Sequence, residues 1–310
     1  MFRRAAFGLL ALGLLATAPA AALEPGKRLS QYGLDIWQAE QGLPQNTVQA
    51  LLRGKDGYLW VGTQEGLGRF DGARFTTYDR KNTPELKHNS ILSLAEAPDG
   101  TLWAGTNGGG ILCRRPDGSF ASIGPAEGLG TLVVWTIAFD AAGDAWVGGD
   151  GIGVQRVSGG RGAERVGVAD GLPLDQVRVV AFDGTGALWV GTTGGGVAVV
   201  RNGRVEKVYG AEVLGGGLVR GLAVAPDGGV WVATSGGGLT FLKDGAATPH
   251  RLKDGFPSDQ VTSVLVDTDG TVWFATWGEG VGRIRDGAVE TIGTREGLSN
   301  DQIWSIATDD

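Results

Sequence analysis

The sequence predicts an all-β protein, a β-propeller of four-stranded blades, and three observations carry that prediction. A 15-residue stretch recurs six times, as DGYLWVGTQEGLGRF (56–70), DGTLWAGTNGGGILC (99–113), AGDAWVGGDGIGVQR (142–156), TGALWVGTTGGGVAV (185–199), DGGVWVATSGGGLTF (227–241) and DGTVWFATWGEGVGR (269–283). Its tryptophans, Trp60, Trp103, Trp146, Trp189, Trp231 and Trp273, stand 43, 43, 43, 42 and 42 residues apart, a spacing that marks one supersecondary unit repeated in tandem. Each copy holds four short strand signals separated by turn residues, and glycine supplies 56 of 310 residues, which is what a blade with several sharp reversals needs. The expected architecture is six complete repeats plus the start of a seventh, with an N-terminal strand closing the ring.

In chain order, residues 1–22 read as a cleaved signal peptide. Arg3 and Arg4 precede an apolar run, and Ala20-Ala21-Ala22 supplies small residues for cleavage near Ala22. The run is shorter than the roughly 20 residues a helix needs to cross a bilayer, so the expected location of the mature chain is the periplasm. Residues 23–310 are assigned to the propeller, with repeats at about 47–89, 90–132, 133–175, 176–217, 218–259 and 260–301 and a partial seventh at 302–310.

Within a repeat, an apolar run such as VRVVAF (177–182) is the first strand, and an Asp-Gly type reversal leads to the tryptophan strand. A glycine run turns into the third strand, and Asp-Gly or Asn-Gly into the fourth. The repeated tryptophan is read as packing between blades, since a ring of that size buries on the order of 200 Å². Residues 32–48 align with 289–303 through Gly42-Leu43 and Gly297-Leu298, so 32–39 reads as a fourth strand placed ahead of the first blade. The seventh repeat carries only its first strand, 303–308, and by the repeat frame about 18 more residues are required to complete it. Both ends are therefore expected to fray, presenting Leu34, Ile36, Trp37, Ile303 and Trp304.

Without residues 1–22 the chain has 25 bases against 34 acids. That acidity argues against nucleic acid as a partner, because such binding rests on Lys and Arg neutralising phosphates. Cys113 is the single cysteine and stands where other repeats carry Phe70, Val199 and Phe241, so it reads as a buried apolar side chain. His88 and His250 have no metal-ligand spacing. No nucleophile stands beside a base and no acids pair in a fixed frame, so neither a catalytic residue, a metal site nor a cofactor is assigned.

The stretch GLPQNTVQALLRGKDGYLWVGTQEGLGRFDGARFTTY (42–78), followed by repeats of the form D-G-x-L-W-x-G-T-x-G-G-G, resembles the two-component regulator propeller repeats. Gly42-Leu43-Pro44, Leu59-Trp60-Val61-Gly62-Thr63 and Arg69-Phe70-Asp71-Gly72 are its most specific part. The resemblance covers about 32–310. It implies the extracytoplasmic sensor region of a hybrid histidine kinase or membrane-bound diguanylate cyclase. It also implies C-terminal signalling domains as partners, membrane contact through a helix that follows the propeller, and a homodimer as a compatible assembly. Repeat six also resembles the virginiamycin B lyase propellers, which need a catalytic histidine on the propeller face. His88 is the one histidine placed for that role. A passive protein-interaction platform is the third reading.

Comparison among the repeats points to a candidate site. The second residue of the first strand varies while its neighbours hold: Gln49, Leu92, Trp135, Arg178, Arg220, Thr262 and Trp304. The innermost strand of a propeller lines its channel, so Trp135, Arg178, Arg220 and Trp304, with Trp277, Gln176 and Gln260 nearby, form a candidate ligand-binding rim. Aromatic faces beside planar polar groups suit a small molecule or oligosaccharide. The alternative is that Trp135 and Trp304 fill the channel and the Asp/Gln pairs 175–176, 259–260 and 301–302 cap turns. Repeat three departs from the pattern at Gly149, Asp150, Gly151 and Ile152, which predicts an altered turn there.

Overall fold

The computed structural model describes residues 27–308, so the signal-peptide assignment to 1–22 lies outside the described residues. Six antiparallel sheets of four strands follow one another along the chain, each a simple meander in which sequential strands pair. They span 48–78, 91–123, 134–166, 177–209, 218–250 and 261–292, hereafter blades one to six. The outer hairpins of blades four to six close at Asn202-Gly203, Asp244-Gly245 and Asp286-Gly287, with positive φ at both central residues. Such turns share the right-handed twist of the strands they join. The single α-helix among the described residues is the four-residue Ala211–Leu214.

The repeated tryptophan pins each blade to the next. Trp103 packs with Val134, Ile137, Ala145 and Val147 of blade three, Trp146 with Leu188 and Val190 of blade four, and Trp189 with Val230 and Val232 of blade five. Trp60 and Trp231 do the same against Leu102 and Phe274. Five hydrophobic clusters thus join six blades in series. Cys113 lies in the cluster between blades two and three, and burial pushes its thiol up to about 12. Five of the six tryptophans are buried, whereas Trp273 is half-buried because no further blade covers its face.

A second, main-chain device indexes the blades at the channel end. The carbonyl of Leu132, just ahead of blade three, accepts hydrogen bonds from the N–H groups of Gly108 and Gly110 in the glycine turn of blade two, at 2.9 and 3.0 Å. Asp259 receives the same pair from Gly236 and Gly238 at 2.8 and 2.9 Å, and Asp175 and Gly217 receive single bonds from Gly153 and Gly196. The last glycine of each turn has no substitute. At Gly110, Gly153, Gly196, Gly238 and Gly280 φ lies between 67° and 82°, and a Cβ would collide with the carbonyl of Ile123, Val166, Tyr209, His250 or Ile292 at the end of the fourth strand.

The two ends of the chain meet between blades six and one, and the strands expected there do not form. Residues 32–39 carry no strand; the arm has 3-10 turns at Leu29–Gln31 and Ala39–Gln41 with irregular chain between them. The arm is nonetheless held. Arg283 donates to the Lys27 carbonyl at 2.6 Å, the Leu29 N–H bonds the Glu290 carboxylate at 3.3 Å, and Trp37 sets its ring edge-on to Phe70 with centroids 4.7 Å apart. Residues 303–308 also form no strand. The Ile303 N–H bonds the Thr276 carbonyl at 3.0 Å, and the Thr262 hydroxyl donates to the Ile303 carbonyl. A strand is stabilised by a ladder of cross-strand hydrogen bonds, and neither segment forms one, the C-terminal segment being tied to blade six at Gln302 and Ile303. The alignment of the two ends survives in the turn, where Gly42 and Gly297 both adopt left-handed conformations, at φ 95° and 112°. A cavity of about 510 Å³ remains between the ends, walled by Leu51, Val61, Phe70, Phe75 and Ile303.

Candidate functional site

The innermost strand of every blade contains a β-bulge at its second or third residue. In blade one Val48 pairs with Thr63 and Ala50 with Gly62, leaving Gln49 outside the ladder. The same slip falls at Leu92, Trp135, Arg178, Arg220 and Thr262. A bulge bends its strand and re-aims the extra side chain, and here each aims into the central channel. These six residues and Trp304 line one cavity of about 220 Å³ at the hub. The six copies present the same backbone with different chemistry: an amide, a leucine, a tryptophan, two arginines and a threonine.

One side of the channel holds a connected set of groups from blades three, four and five. The Trp135 indole N–H donates to the Asp150 carboxylate at 3.1 Å, and the Arg178 guanidinium lies 3.6 Å from the centre of the Trp135 ring, within cation–π range. Arg220 in the next blade donates from Nε to the Ser235 hydroxyl at 3.0 Å. Burial, and then the charge of Arg220, push Arg178 down to about 10, with Asp150 pulling the other way. Arg220 is lowered by burial. Arg178 remains a cation at neutral pH, and among the described residues no ion pair holds either arginine.

Trp304 reaches the same cavity from the C-terminal segment, and Trp277 stands at its rim, 41% exposed, edge-on to Trp304 with centroids 4.6 Å apart. The structure therefore brings Trp135, Arg178, Arg220 and Trp304 together and sets Trp277 beside them. Gln176 and Gln260 are exposed and outside the cavity lining; their carbonyls accept the N–H groups of Thr193 and Trp277 at 3.1 and 3.0 Å, which fastens each blade's first hairpin. The aspartates before them cap turns. Asp175, Asp259 and Asp301 each accept the N–H of the residue seven positions earlier, at 2.8, 2.8 and 2.6 Å.

Asp150 and Ser235 were not among the candidate site residues assigned from the sequence. Asp150 belongs to the irregular turn of repeat three, and that departure from the repeat was the available signal. His88 accepts the Ser90 N–H through Nδ1 in the loop before blade two, and His250 stacks among Trp231 and Phe256 with centroids 5.3 and 6.0 Å away. Among the described residues no three His, Cys, Asp or Glu side chains converge to hold a metal ion.

The fold and hub define a class: a tandem-blade propeller whose channel is lined by variable side chains on bulges and carries no convergent acid, base and nucleophile. Within that class, the two-component regulator propeller model matches residues 42–65, 85–108 and 255–278. Each match spans an entry loop and the first hairpin of a blade, the part that carries the bulge. An extracellular domain of a hybrid two-component system from B. thetaiotaomicron superimposes with a TM-score of 0.78 at 25% identity, over 89% of this chain and 39% of that one. A second such domain from the same organism gives 0.70 at 21% identity, over 85% and 38%. The chain thus spans about two fifths of the length of these extracellular domains. A virginiamycin B lyase from Staphylococcus aureus gives 0.65 at 15% identity, over 80% and 86%, a likeness of fold alone. No curated protein matches the sequence.

Proposed function

We propose that the chain is a non-enzymatic, extracytoplasmic ligand-sensing propeller, the input region of a bacterial signal-transduction receptor. The observation that carries this reading is the hub. Six bulges with a common backbone display side chains of five different types around one cavity, an arrangement suited to recognition. The likeness to the extracellular domains of hybrid two-component systems supports both the sensor role and a location outside the cytoplasm. The lyase reading needs a face histidine with acids around it, whereas His88 is engaged with its own turn and no metal-holding group of acids surrounds it. A thermal-shift panel of neutral and acidic sugars, peptides and small organic acids tests the proposal. A saturable rise in Tm that disappears in Trp135→Ala supports hub recognition; a panel without any such ligand, or a ligand indifferent to every hub residue, refutes it.

The reading extends to the seam. We read 303–308 as the innermost strand of a seventh blade and 32–39 as its closing fourth strand, with no described residues forming the two strands between them. The Asp301 carbonyl supports this, because it accepts the Gly278 and Gly280 N–H groups at 3.0 Å each, the bonding that fixes the start of blade six. Appending a copy of residues 269–285 after Asp310 supplies two strands in frame. Slower amide exchange at 303–308 and 32–37 is expected; unchanged exchange in a folded fusion counts against the assignment.

A further inference from the structure

The arginine pair in the hub has no internal explanation. Arg178 and Arg220 project from consecutive blades into one cavity, at corresponding bulge positions. Among the described residues neither forms an ion pair. Asp150, whose charge acts on Arg178, directs its carboxylate to the Trp135 indole N–H. No Asp or Glu lines the cavity itself, although the chain as a whole carries 34 acids against 27 bases. A recess lined by two cations and no acid inside an acidic protein favours anions there.

The donors are also pre-set. Contact with Trp135 holds the Arg178 guanidinium by its face, and a guanidinium donates from its edge. The Arg220 Nε–H is committed to Ser235, which fixes the orientation of the plane and leaves the two terminal nitrogens to donate. Two forks held in this way match the paired oxygens of a carboxylate, sulfate or phosphate. The cavity, about 220 Å³, equals the liquid volume of roughly seven waters, room for one acidic group with a ring of about monosaccharide size. Trp304 and Trp277 at the mouth offer apolar faces to the remainder of such a ligand.

We infer that the hub is an oxyanion site, in which Arg178 and Arg220 together clasp the acidic group of a small anionic ligand, with Trp135 and Ser235 holding the two guanidinium groups in place. The inference rests on the ligand-sensing reading and narrows its ligand class to anions.

The test is titration of the chain with sodium sulfate, sodium glucuronate and glucose at constant ionic strength maintained with sodium chloride, read by indole fluorescence and calorimetry. Trp135 lies against Arg178 and reports directly on its occupancy. Saturable binding of sulfate or glucuronate and none of glucose is expected. Arg178→Gln and Arg220→Gln should each weaken it by about tenfold or more, with Arg220→Lys retaining part of the affinity. Glucuronate tighter than sulfate identifies an acidic sugar or organic acid as the natural class; sulfate equal or tighter identifies a sulfate or phosphate group. Near-UV circular dichroism confirms that each variant is folded, and Leu252→Ser, at an exposed position outside the cavity lining, should bind the anion as the parent does. No saturable response to either anion, or equal affinity in the folded Arg178→Gln/Arg220→Gln double variant, overturns the inference. A neutral oligosaccharide that raises Tm equally in parent and double variant overturns it too, and leaves the sensor reading standing.

Discussion

Two titratable side chains in this molecule carry a cost of burial that pH can reveal. His250 lies among Trp231 and Phe256, and burial, then the neighbouring Arg251, lower its pKa below the ordinary 6.5. The folded state therefore holds His250 neutral while the unfolded chain protonates near 6.5. Its stabilising contribution is present above about 6.5 and is lost as pH falls below that value toward the folded pKa. A Tm measured between pH 7.5 and 5 should fall with acid more steeply in the parent than in His250→Gln. Arg178 behaves in the same sense at higher pH. Its folded pKa of about 10 lies below the ordinary 12.5, so the penalty is fully present at neutral pH and is relieved as pH rises through 10. Arg178→Gln should accordingly gain ~1 kcal/mol at pH 7 once the lost contact with Trp135 is subtracted, visible as a higher Tm in ligand-free buffer. A Tm below that of the parent refutes this account of the residue.

The elements separate what a sequence can reveal from what only strand pairing can. The blades were legible because their tryptophans repeat in a fixed frame, and the channel-lining positions because Gln49, Leu92, Trp135, Arg178, Arg220 and Thr262 vary within a constant surround. The bulge that re-aims them was not legible, since a bulge is a mismatch between two strands and neither strand records it alone. Asp150 was hidden for a similar reason. Its partner Trp135 is 15 residues away and the pair meets only when the first hairpin of blade three closes. Residues 32–39 have the composition of a strand, yet pairing is a property of two segments, and the second is not beside them. The tryptophans test the packing argument. Trp189 is buried and its indole N–H bonds Asp183 at 2.9 Å, whereas the Trp273 indole nitrogen is buried without a partner and its ring is half-covered. Trp189→Ala should cost about 3–5 kcal/mol, and Trp273→Ala about 1–2 kcal/mol, by chemical denaturation. Equal losses would refute the one-sided packing of blade six.

Across the whole molecule, stability is expected to be graded around the ring. Blades two to five are bounded on both sides by hydrophobic clusters, and blades one and six on one side each. Local opening is cheapest where buried contacts are fewest. Amide exchange should therefore be slowest in 134–139 and 177–182, intermediate in 48–53 and 261–266, and fastest in 32–37 and 304–308. Uniform protection around the ring would mean that the seam is sealed by contacts other than those described. Cys113 gives an independent reading from the middle of the array. Buried between blades two and three with its thiol pushed up to about 12, it should resist a thiol reagent in the native state and react at the rate of global unfolding. Fast labelling under native conditions would place that interface among the loose ones.

The clamp at the channel end has a consequence for how such a protein diversifies. Carbonyls at 132, 175, 217, 259 and 301 take their bonds from backbone N–H groups of the preceding blade, so the join is specified by main chain and by glycines that admit no Cβ. The bulge residue lies three positions further on and takes no part in the join. Duplication of a blade thus copies a complete fastening along with a blank position, and selection can rewrite that position without re-solving assembly. A library randomised at 49, 92, 178, 220 and 262 should remain largely folded, while a library at 110, 153, 196, 238 and 280 should collapse to glycine.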